Sequence, residues 1–171
     1  LGKLFWHTDL RQYGSHNIGA TNAWRTLGKI PGLIVFLADS FKGQAGGLLG
    51  LYLIDTPLAA VIGGLFAIIG HSFSIFLRFR GGKGVATSLG VLTMLMGNVT
   101  LLVFAVWLAI VYMTRYVSLG SVVAGFLTPI LAALFSYPME YIVFTVIAAF
   151  LVIVRHRENI KRLMNGTENK I

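Results

Sequence analysis

The sequence predicts an all-α, polytopic membrane helix bundle, and three observations predict it. Charge is scarce, the apolar residues gather into six runs, and the connections between those runs alternate between basic and non-basic. Charged residues make up 12% of the chain and hydrophobic residues 56%. A soluble domain carries roughly twice that share of charge, about 25%, because it must cover itself with polar surface. The mean hydropathy of +0.79 points the same way. So do the 20 glycines, since glycine is more frequent in membrane helices than in soluble ones.

Taken in order, residues 1–31 are polar and basic, with Lys3, Arg11, Arg25 and Lys29. Residues 32–54 are apolar but broken by Asp39 and Lys42, and Asp55-Thr56-Pro57 is a turn. Residues 58–77 are apolar, and 78–84 form a basic, glycine-rich loop. Apolar runs follow at 85–96, 99–114, 117–135 and 141–154. They are separated by Gly97-Asn98, by Arg115-Tyr116 and by a turn at 136–140 containing Pro138. Residues 155–171 are a charged tail, in which 155–165 is expected to form a short helix. A full span needs ~20 apolar residues. The runs at 85–96, 99–114 and 141–154 fall short, which implies local thinning or shielding of their ends within a bundle. The chain is expected to be a single membrane domain over 1–171. It opens on Leu1 rather than Met, which reads as an N-terminal truncation, and no signal peptide is read in it.

Lys and Arg occur in the N-terminal region, the 78–84 loop, the 115–116 link and the tail, and are missing from the three turns between. By the positive-inside rule both ends and both basic loops face the cytoplasm. Every candidate functional residue then lies on one side. The net charge of +8 suits an anionic lipid surface or an anionic small substrate. Nucleic acid is disfavoured, because the basic residues sit between apolar runs rather than on a polar face. There are no cysteines, which excludes disulfides, thiolate metal sites and cysteine nucleophiles.

Four clusters carry candidate chemistry. Tyr13-Gly14-Ser15-His16-Asn17-Ile18-Gly19-Ala20-Thr21-Asn22, followed by Arg25 and Lys29, can form an anion nest, with a helix N-terminus near Ala20 adding a favourable dipole. An ordinary polar loop with a helix cap would use the same residues. Gly70-His71-Ser72-Phe73-Ser74 leads into Arg78-Phe79-Arg80-Gly81-Gly82-Lys83-Gly84 and then Thr87. This too suits an anion at an interface, or a plain positive-inside loop. It is not a Walker A loop, since Leu77 stands where the first glycine is needed and Gly84 where Ser or Thr is needed. Arg155-His156-Arg157-Glu158-Asn159 places His156 and Asn159 on one helix face; a snorkelling, lipid-facing tail is the plainer alternative. Arg115 with Ser118 and Ser121 forms a smaller polar group. Asp39 and Lys42, at i and i+3, are costly inside a membrane segment and are either an ion pair or functional.

Together these motifs resemble the PlsY family, the bacterial acyl-phosphate:glycerol-3-phosphate acyltransferases. The likeness rests on Ser15-x-Asn17-x-Gly19-Ala20-Thr21-Asn22, on Gly70-His71-x-Phe73-Ser74 with Phe79-x-Gly81-Gly82-Lys83-Gly84-Val85-Ala86-Thr87, on Arg115-Tyr116-x-Ser118, and on Arg155-His156-x-Glu158-Asn159-Ile160-x-Arg162-Leu163. It runs in order over essentially the whole chain. The resemblance implies a seven-helix fold of which this chain shows six segments, the first apparently missing. It implies an inner-membrane enzyme, with its site on the cytoplasmic side, that moves an acyl chain from acyl phosphate to the 1-hydroxyl of glycerol 3-phosphate. Lysophosphatidic acid and inorganic phosphate are the products, and the step is the first acylation of phospholipid synthesis. It implies no metal and no other cofactor, no acyl-CoA, and the acyl-phosphate-producing enzyme as a candidate partner. The His-x4-Asp signature of other glycerophosphate acyltransferases is absent, because Phe76 stands five residues after His71. His16 stands where the family often has Gly and is given no role.

On this basis Ser15, Asn17, Thr21 and Asn22 are expected to cradle one phosphate, and Arg25, Lys83, His156 and Asn159 the other anion and the developing charge. Exchanging the two anion sites fits equally well. Gly81, Gly82, Gly84, Thr87 and Ser118 complete the expected substrate-binding set, and Glu158 is expected to orient an arginine or a substrate hydroxyl. Ser15, His71 and Lys83 are the expected catalytic residues. His71 has a suitable unperturbed pKa of ~6.5 for a general base, and a substrate phosphate oxygen is the alternative. A transporter of small organic anions is the competing function class; the gathering of charge at one end argues against it.

Overall fold

The computed structural model describes residues 2–171, and all regular structure among them is helical. Two short elements, α1 (Gly2–Trp6) and a 3-10 turn (Leu10–Gln12), precede α2 (Ala20–Leu27). Then come α3 (Lys29–Ile54), α4 (Pro57–Ser72), a 3-10 turn (Ile75–Leu77) and α5 (Val85–Leu95). The chain continues with α6 (Gly97–Thr114), α7 (Val117–Leu134), α8 (Met139–Arg155) and α9 (Arg157–Met164).

Each of the six apolar runs is a helix, and the tail helix forms as expected. α3 begins earlier than its apolar run, because Pro31 sits in its first turn, where a missing N–H has no partner to lose. Thr56 caps α4, its hydroxyl accepting from the Ala59 N–H at 3.2 Å, with Pro57 in the first turn. α3 ends where Asp55 turns left-handed (φ 48°), and α6 ends the same way at Arg115 (φ 65°).

Residues Pro57–Leu77, α6 and α7 are long and apolar enough to cross a membrane, and α8 with α9 would make a further span bent by 59°. α5, with 11 residues, is only ~16 Å long and cannot cross a ~30 Å hydrocarbon core alone. The surface is apolar: Phe76 is 97% exposed and Phe66 70%. Thr87, Thr145 and Ser72 are buried. Water would penalise that exposure of Phe, and hydrocarbon favours it; of the three hydroxyls, Thr145 donates to the Ile142 carbonyl at 2.6 Å, while Ser72 and Thr87 have no partner among the described residues.

α3 packs along α4 and α5 as one half of the bundle, and α6, α7 and α8 form the other. Val61, Ile68, Val91, Val99, Met96 and Phe144 join the halves in a common core. Within the first half, backbones touch: a Cβ on Gly43 would collide with the Thr87 carbonyl, and one on Gly90 with the Ser40 carbonyl. The contacts Arg155 to Gly81 and Gly82, Lys83 to Asn159, Arg25 to Asn169 and Arg115 to Ile171 bring all four basic connections to one end.

Candidate active site

At that end a cleft enters the bundle between the two halves, lined by α2, the 78–84 loop, α5, α6, α7, α8, α9 and the tail. Its mouth is polar. Deeper, between α5 and α6–α8, it is lined by Leu92, Val103, Phe104, Ala124, Ala148 and Ala149.

The first loop owes its shape to Asn22, whose side chain is buried. Its Oδ1 accepts from the Ser15 N–H at 2.9 Å, and its Nδ2 lies 2.8 to 3.0 Å from the carbonyls of Leu10, Tyr13 and Asn17. Asn17 Oδ1 accepts from the Gly19 N–H at 2.9 Å, so both asparagines hold backbone. Ser15, Asn17, Thr21, Asn22 and Arg25 all line the cleft. Arg25 donates to the Asn169 carbonyl at 2.7 Å, and its Nε is buried without a partner among the described residues.

The second motif places Lys83 and Gly84 in the cleft wall. Gly81 and Gly82 lie outside the lining. Their N–H groups donate to the Ser72 and His71 carbonyls, both at 3.2 Å, and Arg155 donates to their own carbonyls. A side chain at 82 would collide with the His71 ring. The glycine pair therefore locks the loop onto the end of α4. Thr87 is buried against α3, away from the lining. His71 lines the cleft with Nδ1 3.5 Å from Asp39 Oδ1, and Lys42 pairs with the same oxygen at 2.9 Å. The Asp39–Lys42 pair allowed by the i, i+3 spacing is therefore present, with His71 as a third member.

The third and fourth motifs meet at one carboxylate. Lys83 Nζ donates to Asn159 Oδ1 at 2.6 Å, and Asn159 Nδ2 donates to Glu168 Oε1 at 2.6 Å. Ser118 donates to the same oxygen at 2.8 Å, and Arg162 Nε to Oε2 at 2.7 Å. His156 lines the cleft with Nδ1 2.7 Å from the Val152 carbonyl. That contact assigns the neutral ring's proton to Nδ1 and makes Nε2 the acceptor. Glu158 is exposed and outside the cleft, 3.6 Å from Arg157.

Burial lowers the Lys83 ammonium to about 8; Glu168 nearby raises it, and Arg162, Arg25 and Arg155 lower it further. Burial opposes the charge of Glu168, but hydrogen bonds from Asn159, Arg162 and Ser118 outweigh it and hold the carboxyl below its usual range. Among the described residues no three His, Asp or Glu side chains converge to hold a metal ion.

Arg162 and Glu168 were not among the site residues expected from sequence. Arg162 lay inside a quoted motif. Glu168 follows the tail helix, where no periodicity tells that the chain turns back; Gly166, left-handed at φ 69°, makes that turn.

Fold and cleft define a class: a polytopic integral membrane bundle with a cationic pocket opening into an apolar groove. The chain belongs to the glycerol-3-phosphate acyltransferase family, whose family model matches residues 1–166. It is 46% identical over 169 residues to the glycerol-3-phosphate acyltransferase of Carboxydothermus hydrogenoformans, covering 99% of this chain and 86% of the relative. It is 47% identical over 171 residues to glycerol-3-phosphate acyltransferase 2 of Moorella thermoacetica, covering 100% and 88%. It also superposes on the crystal structure of PlsY, an integral membrane glycerol 3-phosphate acyltransferase, in its glycerol 3-phosphate form. There the TM-score is 0.93 and the identity 38%, over 99% of this chain and 87% of that one. The lysophosphatidic acid form of PlsY matches at TM-score 0.87 and 39% identity, over 92% and 81%.

Proposed function

We propose that this chain transfers a fatty acyl group from acyl phosphate to the 1-hydroxyl of sn-glycerol 3-phosphate, as the first acylation of bacterial phospholipid synthesis. The observation that carries this reading is one continuous cleft, cationic at the mouth and apolar in depth. It suits a reaction in which both substrates are phosphates and one bears a chain. The names of the relatives and the two forms of the PlsY structure support the same acceptor and product class.

Acyl phosphate is already activated. The glycerol 1-oxygen attacks the acyl carbonyl carbon, the bond from that carbon to the phosphate oxygen breaks, and inorganic phosphate leaves with its electron pair. The protein's work is then to position reactants and stabilise charge. In this reading Ser15, Asn17 and Thr21 receive the acyl-phosphate phosphate, on a loop held by Asn22. Arg25, Lys83, His156 and Asn159 receive glycerol 3-phosphate, whose phosphate would satisfy the unpartnered Arg25 Nε. The hydroxyl proton goes to His71 or to a phosphate oxygen of the substrate. The basic end faces the cytoplasm of a bacterial inner membrane, residues 1–171 act as one domain, and the enzyme that makes acyl phosphate is the natural partner.

The test is phosphate release from palmitoyl phosphate by the purified full-length protein, with and without glycerol 3-phosphate. Release that depends on glycerol 3-phosphate and yields lysophosphatidic acid is expected. Absence of that dependence in a folded preparation would overturn the reading and turn attention to anion flux in liposomes.

A further inference from the structure

Five buried side-chain polar atoms have no partner among the described residues: Arg25 Nε and the hydroxyls of Ser40, Ser72, Thr87 and Ser88. Of these residues, Arg25 and Ser88 line the cleft. Arg25 belongs to the polar mouth. Ser88 lies below it and is 7% exposed. α5 presents Val85, Ser88, Leu89 and Leu92 to the cleft, the i, i+3, i+4, i+7 face of one helix. Gly84, next to Lys83, caps that helix. A helical rise of 1.5 Å per residue puts Ser88 about 6 Å along α5 from Gly84, and Leu92 about 6 Å further. The hydroxyl therefore sits where the cationic mouth gives way to the apolar groove.

The other hydroxyls at depth are already spent. Ser121, Thr128 and Thr145 line the cleft, and they donate to the carbonyls of Val117, Ala124 and Ile142 at 2.9, 2.7 and 2.6 Å, each within its own helix. That is the ordinary way for a helix to satisfy a buried Ser or Thr. The Trp107 Nε1–H donates to Ser121 at 3.3 Å. Ser88 makes no such bond. A buried hydroxyl left unpaired is costly, and one that lines a ligand cleft can be paired by the ligand.

We infer that the Ser88 hydroxyl donates to the acyl carbonyl oxygen, first in the acyl donor and again in the product ester. The inference rests on the proposed reaction and adds a catalytic residue to it. Acyl phosphate has its phosphate at one end, its chain at the other and one carbonyl between. With the phosphate in the mouth and the chain against Leu92, that carbonyl falls at the level of Ser88. As the glycerol 1-oxygen bonds to the carbonyl carbon, the carbonyl π pair moves onto the oxygen, where the Ser88 O–H meets the developing charge. The pair returns as the bond to the phosphate oxygen breaks and phosphate leaves. Ser88 keeps its own proton throughout.

The test compares wild type with Ser88→Ala as purified full-length protein. Infrared difference spectra of bound lysophosphatidic acid, isotope-labelled at its palmitoyl carbonyl, read the ester oxygen directly and need no turnover. The carbonyl stretch is expected at lower frequency in wild type than in Ser88→Ala, because a hydrogen bond to the oxygen weakens the double bond. kcat/KM for palmitoyl phosphate is expected to fall roughly tenfold, as loss of one hydrogen bond predicts, while KM for glycerol 3-phosphate stays as in the wild type. The ligand-free melting temperature is expected to hold or rise, since alanine is the better helix former and the lost hydroxyl bonds nothing inside the protein. Coincident carbonyl bands in the two proteins overturn the inference. So does a lowered melting temperature or a variant that does not fold, because either result gives the hydroxyl a partner within the protein. A wild type whose phosphate release ignores glycerol 3-phosphate sinks the proposed reaction and this inference with it. A wild type that depends on glycerol 3-phosphate, with bands that coincide, sinks the inference alone.

Discussion

Burial lowers Lys83 to about 8, so its charge changes over the pH range around that value. kcat/KM reports ionisations of the free enzyme. It should therefore fall as pH rises through about 8, where Lys83 loses its proton, and Lys83→Arg should stay flat there. The sign for stability is opposite. The folded pKa lies below the unfolded value of 10.5, so holding Lys83 charged opposes folding below about 8, and that cost fades as pH rises toward 10.5. Lys83→Ala should raise KM for glycerol 3-phosphate by roughly tenfold or more, as loss of a hydrogen bond to a charged group predicts; an unchanged KM would remove Lys83 from the pocket. His71→Ala tests the base directly: near wild-type kcat would assign the proton to substrate phosphate. Asn22→Ala strands the Ser15 N–H and three carbonyls. It should cost about 1–3 kcal/mol of stability, seen as a lowered melting temperature. Several of these residues were legible because cations, glycines and short polar side chains cluster in sequence. What sequence did not show is the division of labour. Asn22, Gly81 and Gly82 look like ligands by composition, but Asn22 bonds to its own loop, and Gly81 and Gly82 bond to the end of α4 and to Arg155. Glu168 looks like tail, yet it accepts from Ser118, Asn159 and Arg162.

At the scale of elements, hydropathy located every helix that builds the bundle, because each is an apolar run between turns, interrupted only in α3 by Asp39 and Lys42. It did not locate their partners. α3 carries its glycines on two faces, Gly43 toward α5 and Gly46 toward α4, where a Cβ would meet the Thr87 backbone and the Gly63 carbonyl. Small residues let membrane helices approach closely when no hydrophobic effect drives them together. The spacing of Gly43, Gly46, Gly47 and Gly50 was visible, but which helix each faced required the fold. Gly43→Val should lower stability by about 1–3 kcal/mol through overpacking, measured as the melting temperature in detergent. Because α5 carries Val85 and Ser88 into the cleft, activity should fall as well. The bend between α8 and α9 at His156 was equally hidden, since the charged tail could have continued straight; the bend is what turns Asn159 toward Lys83.

For the whole molecule, the alternation of basic and non-basic connections anticipated that the motifs would share one end, and the contacts among them bear this out. Which compartment that end faces is open to a direct measurement. The chain has no cysteine, so single replacements report cleanly. Ser136→Cys should react with a membrane-impermeant maleimide added outside intact cells, and Arg80→Cys only after the membrane is opened. The reverse pattern would overturn the cytoplasmic assignment. The fold-back of the tail carries a further consequence for synthesis. Glu168 reaches Ser118, Asn159 and Arg162 only after α3 to α9 have been made. A nascent chain with α3 to α8 already in the bilayer still lacks the carboxylate to which those three side chains donate. On a ribosome that has not yet passed residue 168, Ser118, Asn159 and Arg162 are without the acceptor they come to share.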